Sequence, residues 1–154
     1  MQVNEQPGDD LRQLAGDYRR YLASLVLFHL AAADTAGLGP TDYQASSILD
    51  LDGPMPAGEL ATRLGLSTSA TTRLIDRMER SGYVRRIRDA EDRRRVLVEH
   101  TKARPERLED ILQTVSGPVA ATLQALTPEQ LVGVATYVRG AQRAYAEALS
   151  QLRP

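Results

Sequence analysis

The chain has 154 residues, of which 42% are hydrophobic and 25% charged, and its formal net charge is −1. Such a composition suits one compact domain, or a small domain joined to an oligomerisation element, and excludes wholesale disorder. Cysteine is absent, which excludes disulfides, thiolate metal sites and cysteine-based redox switches.

The opening residues, "MQVNEQPGDD", are polar and acidic. No apolar run approaches the ~18–20 residues that span a bilayer, so no membrane partner and a cytoplasmic location are expected. The first periodic segment starts near Asp9 or Asp10, whose carboxylates suit a helix N-terminus. Leu11, Leu14, Tyr18, Tyr21, Leu22, Leu25, Val26 and His29 or Leu30 recur mostly three or four apart, which predicts a long amphipathic helix broken at "TAGLGP". In "TDYQASSILDLDGP", Thr41 and Gln44 have capping-box spacing, and Asp52-Gly53-Pro54 stops the element. A shorter helix is expected in "PAGELATRLGL", with Gly65 at a left-handed C-terminal position. Ser67 then caps a fourth helix, "STSATTRLIDRMERSG".

Two β-rich runs follow, "YVRRI" and "RVLVEH", separated by the charged turn "RDAEDRR", which predicts a hairpin. Past it, Leu108, Leu112, Val115, Val119, Leu123 and Leu126 predict a helix, with a kink expected at Gly117-Pro118. Thr127, Pro128 and Gln130 predict the start of a last helix, whose apolar face is Leu131, Val134, Val138, Tyr145, Leu149 and Leu152.

Charge is distributed unevenly along these elements. From Arg63 to Arg95 there are ten arginines against five acids (Asp76, Glu79, Asp89, Glu91 and Asp92), a local balance of +5, which leaves −6 on the remainder. A basic module in an acidic body is the asymmetry expected when one face meets a polyanion. Two short helices joined at Gly65 describe a helix-turn-helix, whose second helix enters the major groove. Its apolar side, Ala70, Leu74, Ile75 and Met78, is expected to hold it to the other helices. Ser67, Thr68, Ser69, Thr71 and Thr72 are short hydrogen-bonding groups suited to base edges or phosphates. Arg73 and Arg77, one turn apart, have the reach for phosphates or guanine edges. The hairpin adds arginines at 85, 86, 88, 93, 94 and 95. Its tip is narrow enough for a minor groove, where negative potential is strongest. Arg88, Arg93 and Arg94 are therefore expected to contact DNA, with Asp92 and its acidic neighbours bracing the loop.

The stretch "GELATRLGLSTSATTRLIDRMERSGYVRRIRDAEDRRRVLVEHT" resembles the MarR family of winged helix-turn-helix transcriptional regulators. "RLIDRMERSGYVRR" matches the family's recognition-helix end and wing start, and "DAEDRRRVLVEHT" its wing signature. The resemblance implies a mainly α fold with a small β-hairpin wing and long N- and C-terminal dimerisation helices. Residues 1–36 would supply the first dimerisation element, 37–102 the DNA-binding domain and 103–154 the second dimerisation element. Asp92 and Arg94 fill the family's Asp-x-Arg positions, making Arg94 the minor-groove residue. Arg73 matches the recognition-helix arginine, and Asp76 is placed to pair with a wing arginine. His100 stands where leucine is usual and Arg104 where glycine often follows, two departures that bear on the hinge into the next helix.

The expected function is therefore a sequence-specific regulator, a repressor that binds a pseudo-palindrome in double-stranded DNA as a homodimer. The rival is a winged-helix interaction module docking an acidic partner without specific DNA binding. No nucleophile elbow, phosphate loop or zinc-protease motif occurs, and the two histidines, His29 and His100, show no ligand spacing, so neither an enzyme, a cofactor nor a metal is expected. By the resemblance, a small aromatic or anionic effector would sit between the dimer helices and the DNA module, with Tyr21, His29, Tyr43 and Arg73 as candidate contacts.

Overall fold

Nine elements order the chain in a computed structural model that describes residues 7–103 and 105–152. They are α1 (Pro7–Thr35), α2 (Pro40–Asp52), β1 (Met55–Pro56), α3 (Ala57–Leu64), α4 (Thr68–Arg80), β2 (Val84–Arg88), β3 (Val96–His100), α5 (Glu106–Gln124) and α6 (Pro128–Leu152). The fold is thus mainly α with a winged helix-turn-helix at its centre. Arg104, one of the two departures above, and the first six residues lie outside the described residues.

Local chemistry sets most boundaries. Gly65 takes left-handed angles (φ 63°, ψ 41°), and its N–H and that of Leu66 return to carbonyls in the last turn of α3. This closes α3 and turns the chain into α4 within three residues. At the start of α6, the Thr127 N–H donates to Gln130 Oε1 (2.9 Å) and the Gln130 N–H to Thr127 Oγ1 (3.3 Å), a reciprocal capping box with Pro128 at the first position. The capping box expected at Thr41 and Gln44 does not form. Instead α2 starts two residues earlier, with Gly39 at the cap and Pro40 inside the first turn, because proline's fixed φ already suits that position. α5 runs unbroken through Pro118.

The hairpin strands pair antiparallel with Arg86 opposite Val98, and β1 adds a third strand on the other edge of β3, in the order β1-β3-β2. Ala45, Leu49, Met55, Leu60, Leu74, Ile75, Met78, Val84 and Val98 form the buried core of this module. A second cluster, Ala32, Ala33, Tyr43 and Leu108, joins α1, α2 and α5. Beyond it, the long helices are poorly covered. α6 has no buried residue, and Leu14, Val26, Val119, Leu131, Val138 and Leu149 are all exposed. No single helix among the described residues is long and apolar enough to cross a membrane.

The hinge after the wing is polar and satisfied. His100 is buried, its Nε2 lies 2.9 Å from Ser46 Oγ on α2, and its Nδ1 accepts the Lys102 N–H at 3.0 Å. An accepting Nδ1 places the ring proton on Nε2, so the imidazole donates to Ser46. Lys102 takes a left-handed φ of 66° and donates from Nζ to Asp50 at 2.5 Å. Thr101 Oγ1 donates to the Gly82 carbonyl at 2.6 Å, tying the end of β3 to the turn before β2. A histidine is accommodated in place of leucine because α2 offers it a hydroxyl.

Candidate nucleic-acid interface

The recognition helix α4 is held by one stripe and leaves another free. Thr71, Leu74, Ile75 and Met78 are buried, and their spacing of three and four residues is that of a helix face turned to a core. Thr71 is therefore not available for DNA, contrary to the sequence expectation. Its side chain is 1% exposed and its hydroxyl donates to the Ser67 carbonyl at 3.0 Å. The inward stripe expected at 70, 74, 75 and 78 is instead 71, 74, 75 and 78: a threonine methyl packs as readily as the alanine at 70, which is only half-buried.

Ser67, Thr68, Ser69, Thr72 and Arg73 lie exposed along the first two turns. Ser67 Oγ accepts the Ala70 N–H at 3.3 Å, satisfying one otherwise unpaired donor at the helix start. Ser67→Ala is expected to lower stability by about 1 kcal/mol, read as a reduced melting temperature. An unchanged melting curve would show that this cap contributes nothing.

Arg77 is already engaged within the fold. Its Nε and Nη2 donate to the two carboxylate oxygens of Asp42 at 2.8 and 2.5 Å, and Asp42 is 5% exposed. The forked guanidinium locks α4 to the first turn of α2, and the Asp42 bond raises the guanidinium pKa still further. Arg77 thus spends its Nε and Nη2 inside the fold, while about half of its side chain stays in solvent.

The wing arginines divide in the same way. Arg86 pairs with Asp76 at 2.6 Å and with Glu79, both on α4, so the wing base is fixed to the recognition helix. Arg85 pairs with Glu99 across the strands at 2.6 Å. Arg88 Nη1 donates to the Arg93 carbonyl at 2.8 Å, so that Arg88, while exposed, is spent on holding the loop. At the tip, Asp89 Oδ1 accepts the Glu91 N–H (2.9 Å) and Asp92 Oδ1 accepts the Arg94 N–H (3.0 Å). Arg95 lies 3.6 Å from Asp89. The acids therefore shape the turn instead of neutralising it from outside. Arg94 keeps a single long contact to Asp92 (3.4 Å) and its side chain is 94% exposed. Among the described residues, Arg73, Arg80 and Arg93 make no ion pair. Arg80, exposed at the far end of α4, joins this group although the sequence offered no reason to prefer it over Arg77.

The candidate effector residues converge only in part. Tyr21 and His29 line an open cavity of about 640 Å³ between α1 and α5, together with Ser24, Leu112, Ser116 and Val119. Tyr43 instead lines a smaller neighbouring cavity of about 200 Å³, and its hydroxyl lies 2.6 Å from His29 Nδ1. Arg73 borders neither; it stands exposed on α4, so its expected effector contact is withdrawn.

This arrangement has close counterparts. The MarR family matches residues 41–96, which run from α2 to the start of β3. The uncharacterized HTH-type transcriptional regulator YcgE of Bacillus subtilis strain 168 is 38% identical over 136 residues, covering 88% of each chain. A MarR family protein from Bacillus stearothermophilus shares the fold with a TM-score of 0.63 at 23% identity, over 92% of this chain and 99% of that one. NadR, solved in complex with 4-hydroxyphenylacetate, superposes with a TM-score of 0.58 at 18% identity, over 92% of this chain and 96% of its own. The chain belongs to the MarR family of winged helix-turn-helix, DNA-binding transcriptional regulators.

Proposed function

We propose that this regulator acts as a homodimeric repressor on a pseudo-palindromic operator and is released from it by a small ligand. The observation that carries the reading is the sorting of the arginines. Most of those between Arg63 and Arg95 are bonded within the fold, whereas Arg73 and Arg80 on α4 and Arg93 and Arg94 on the wing tip face outward. Outward guanidinium groups on a recognition helix and a braced hairpin suit the phosphates and grooves of duplex DNA. Thr68, Ser69 and Thr72 on the same face supply short groups for base edges.

Dimerisation is supported by α6, a 25-residue helix with no buried residue of its own. A helix so exposed gains little from propensity alone and needs a second apolar surface. A second copy offers the matching stripe and brings two recognition helices to successive major-groove faces, ~34 Å apart. Release by a ligand is supported by the cavity between α1 and α5, beside the cluster that joins these helices to α2, and by the aromatic acid bound in NadR.

A gel shift with the DNA upstream of the chain's own coding sequence tests the DNA part. Four outward arginines per protomer give eight per dimer. The slope of log K against log salt is then about −7, at about −0.9 for each phosphate neutralised. A wing that docks an acidic protein instead would give no discrete DNA complex, and a slope shallower than about −3 would remove the arginine set from the interface.

A further inference from the structure

Two adjacent residues in the first turn of α2 reach in different directions, as successive side chains on a helix diverge by about 100°. Asp42 is buried and turns to the recognition helix, where its two oxygens hold Arg77 Nε and Nη2 at 2.8 and 2.5 Å. Tyr43 is also buried and turns to α1, its hydroxyl 2.6 Å from His29 Nδ1. The chain bends by 102° between α1 and α2, so the His29–Tyr43 contact spans a corner. That corner is short, from Thr35 to Pro40, and is closed by the Leu38 N–H on the Ala33 carbonyl at 2.9 Å. The stripe that seats α4, by contrast, is mostly apolar, and apolar burial is non-directional. A guanidinium gripped at two points by one carboxylate fixes angle as well as distance. The wing follows α4, because Arg86 joins its base to Asp76 and Glu79. A chain of polar contacts therefore runs from α1 through α2 to both DNA-facing elements.

We propose that Asp42 and Tyr43 are positioning residues: the first turn of α2 braces the recognition helix against α1 and so sets the separation at which two half-sites are read. The inference rests on the homodimeric operator reading above and assigns neither side chain a contact with DNA. A recognition surface must be held within about 0.5 Å and 10–20° to select one geometry. General attraction to phosphate tolerates far looser placement, because it depends on charge and not on register.

Three variants of the full-length protein test it, each checked for folding by circular dichroism. Asp42→Ala removes both acceptors from Arg77. Tyr43→Phe keeps the packed ring and removes the hydroxyl, and His29→Phe removes the same contact from the α1 side. Fluorescence anisotropy compares three duplexes: a site that the wild type selects from a random pool, that site with one base pair inserted between its half-sites, and an unrelated sequence. The insertion moves one half-site by about 3.4 Å and turns it by about 35°. Each variant is expected to bind the selected site about tenfold more weakly, the size of one lost base contact. Affinity for the inserted and unrelated duplexes should not fall, so the penalty for the insertion shrinks by about tenfold. A merely structural contribution would lower all three affinities together, and that result overturns the proposal. So does an unchanged insertion penalty in any variant that folds. Combining Asp42→Ala with Tyr43→Phe should cost no more than the larger single loss, because a chain broken at one link is already released. Additive losses would make the two contacts independent supports and overturn the relay. A wild-type protein that binds all three duplexes equally removes the operator reading, and this inference with it. A wild type that discriminates, with variants that discriminate as well, removes the inference alone.

Discussion

Replacing Arg77 with alanine is expected to lower the unfolding free energy by about 2–3 kcal/mol, although half of the Arg77 side chain is in water. The asymmetry of the pair explains the size. Asp42 is 5% exposed and both its carboxylate oxygens are bound by the one guanidinium, so truncation leaves a nearly buried charge with neither partner nor hydration. A fully buried pair would cost about 3–5 kcal/mol when broken, and the exposure of Arg77 lowers that figure. The converse change, Asp42→Asn, should cost about 1 kcal/mol, because the amide still accepts one hydrogen bond and the arginine can turn to solvent. Urea denaturation of the two variants checks this. If Arg77→Ala proved no more damaging than Asp42→Asn, the carboxylate would not be the desolvated member, and the tie between α2 and the recognition helix would carry little energy.

Arg94→Ala should leave that stability nearly untouched and act on DNA. The side chain is 94% exposed and its one contact, to Asp92, is long and solvated, so the fold loses almost nothing. Each half-site loses one arginine contact at about 1 kcal/mol or more, and a dimer loses two, which amounts to a decrease in operator affinity of about 30-fold or greater. The salt slope should also become shallower by about 2, from two fewer phosphates or groove charges neutralised per dimer. Fluorescence anisotropy over a salt series measures both quantities. An unchanged affinity would take the wing tip out of the mechanism. A fall in affinity with an unchanged slope would make Arg94 a shaper of the loop and not a contact.

Much of this architecture was legible in the sequence because it rests on local chemistry. Gly65, Ser67 and the Thr127-Pro128-Gln130 start each act within four residues, and the hairpin declared itself by β-branched runs around a charged turn. The strand Met55–Pro56 was not legible. It is two residues long, contains a proline, and exists because β3 offers an unpaired edge. Gly39 and Pro40 displaced the capping box at Thr41 for an equally local reason that the residue spacing concealed.

The interface divides along the same line. Composition revealed that arginines were gathered between Arg63 and Arg95, but not which of them were already committed. Arg77 is claimed by Asp42, 35 residues earlier in the chain. Arg88 is claimed by a carbonyl across the wing turn. These are tertiary pairings, and a one-dimensional charge count assigns every arginine the same value. Thr71 illustrates the opposite case, a polar residue whose position on the helix, not its chemistry, turns it inward. The effector residues were least legible: His29 and Tyr43 meet at the border of two cavities and Tyr21 lines one of them, but Arg73 stands on an open helix face.

The proposed repressor requires that the outward residues of α4 and the wing read a particular DNA sequence. Affinity of the wild-type protein for a site selected from a random pool, compared with unrelated duplex of equal length at about 150 mM salt, tests it most directly. A ratio of about 10³ or more is predicted, as for specific recognition by base-edge contacts. Equal affinities for the two duplexes would contradict it, leaving only a general attraction between guanidinium groups and phosphate.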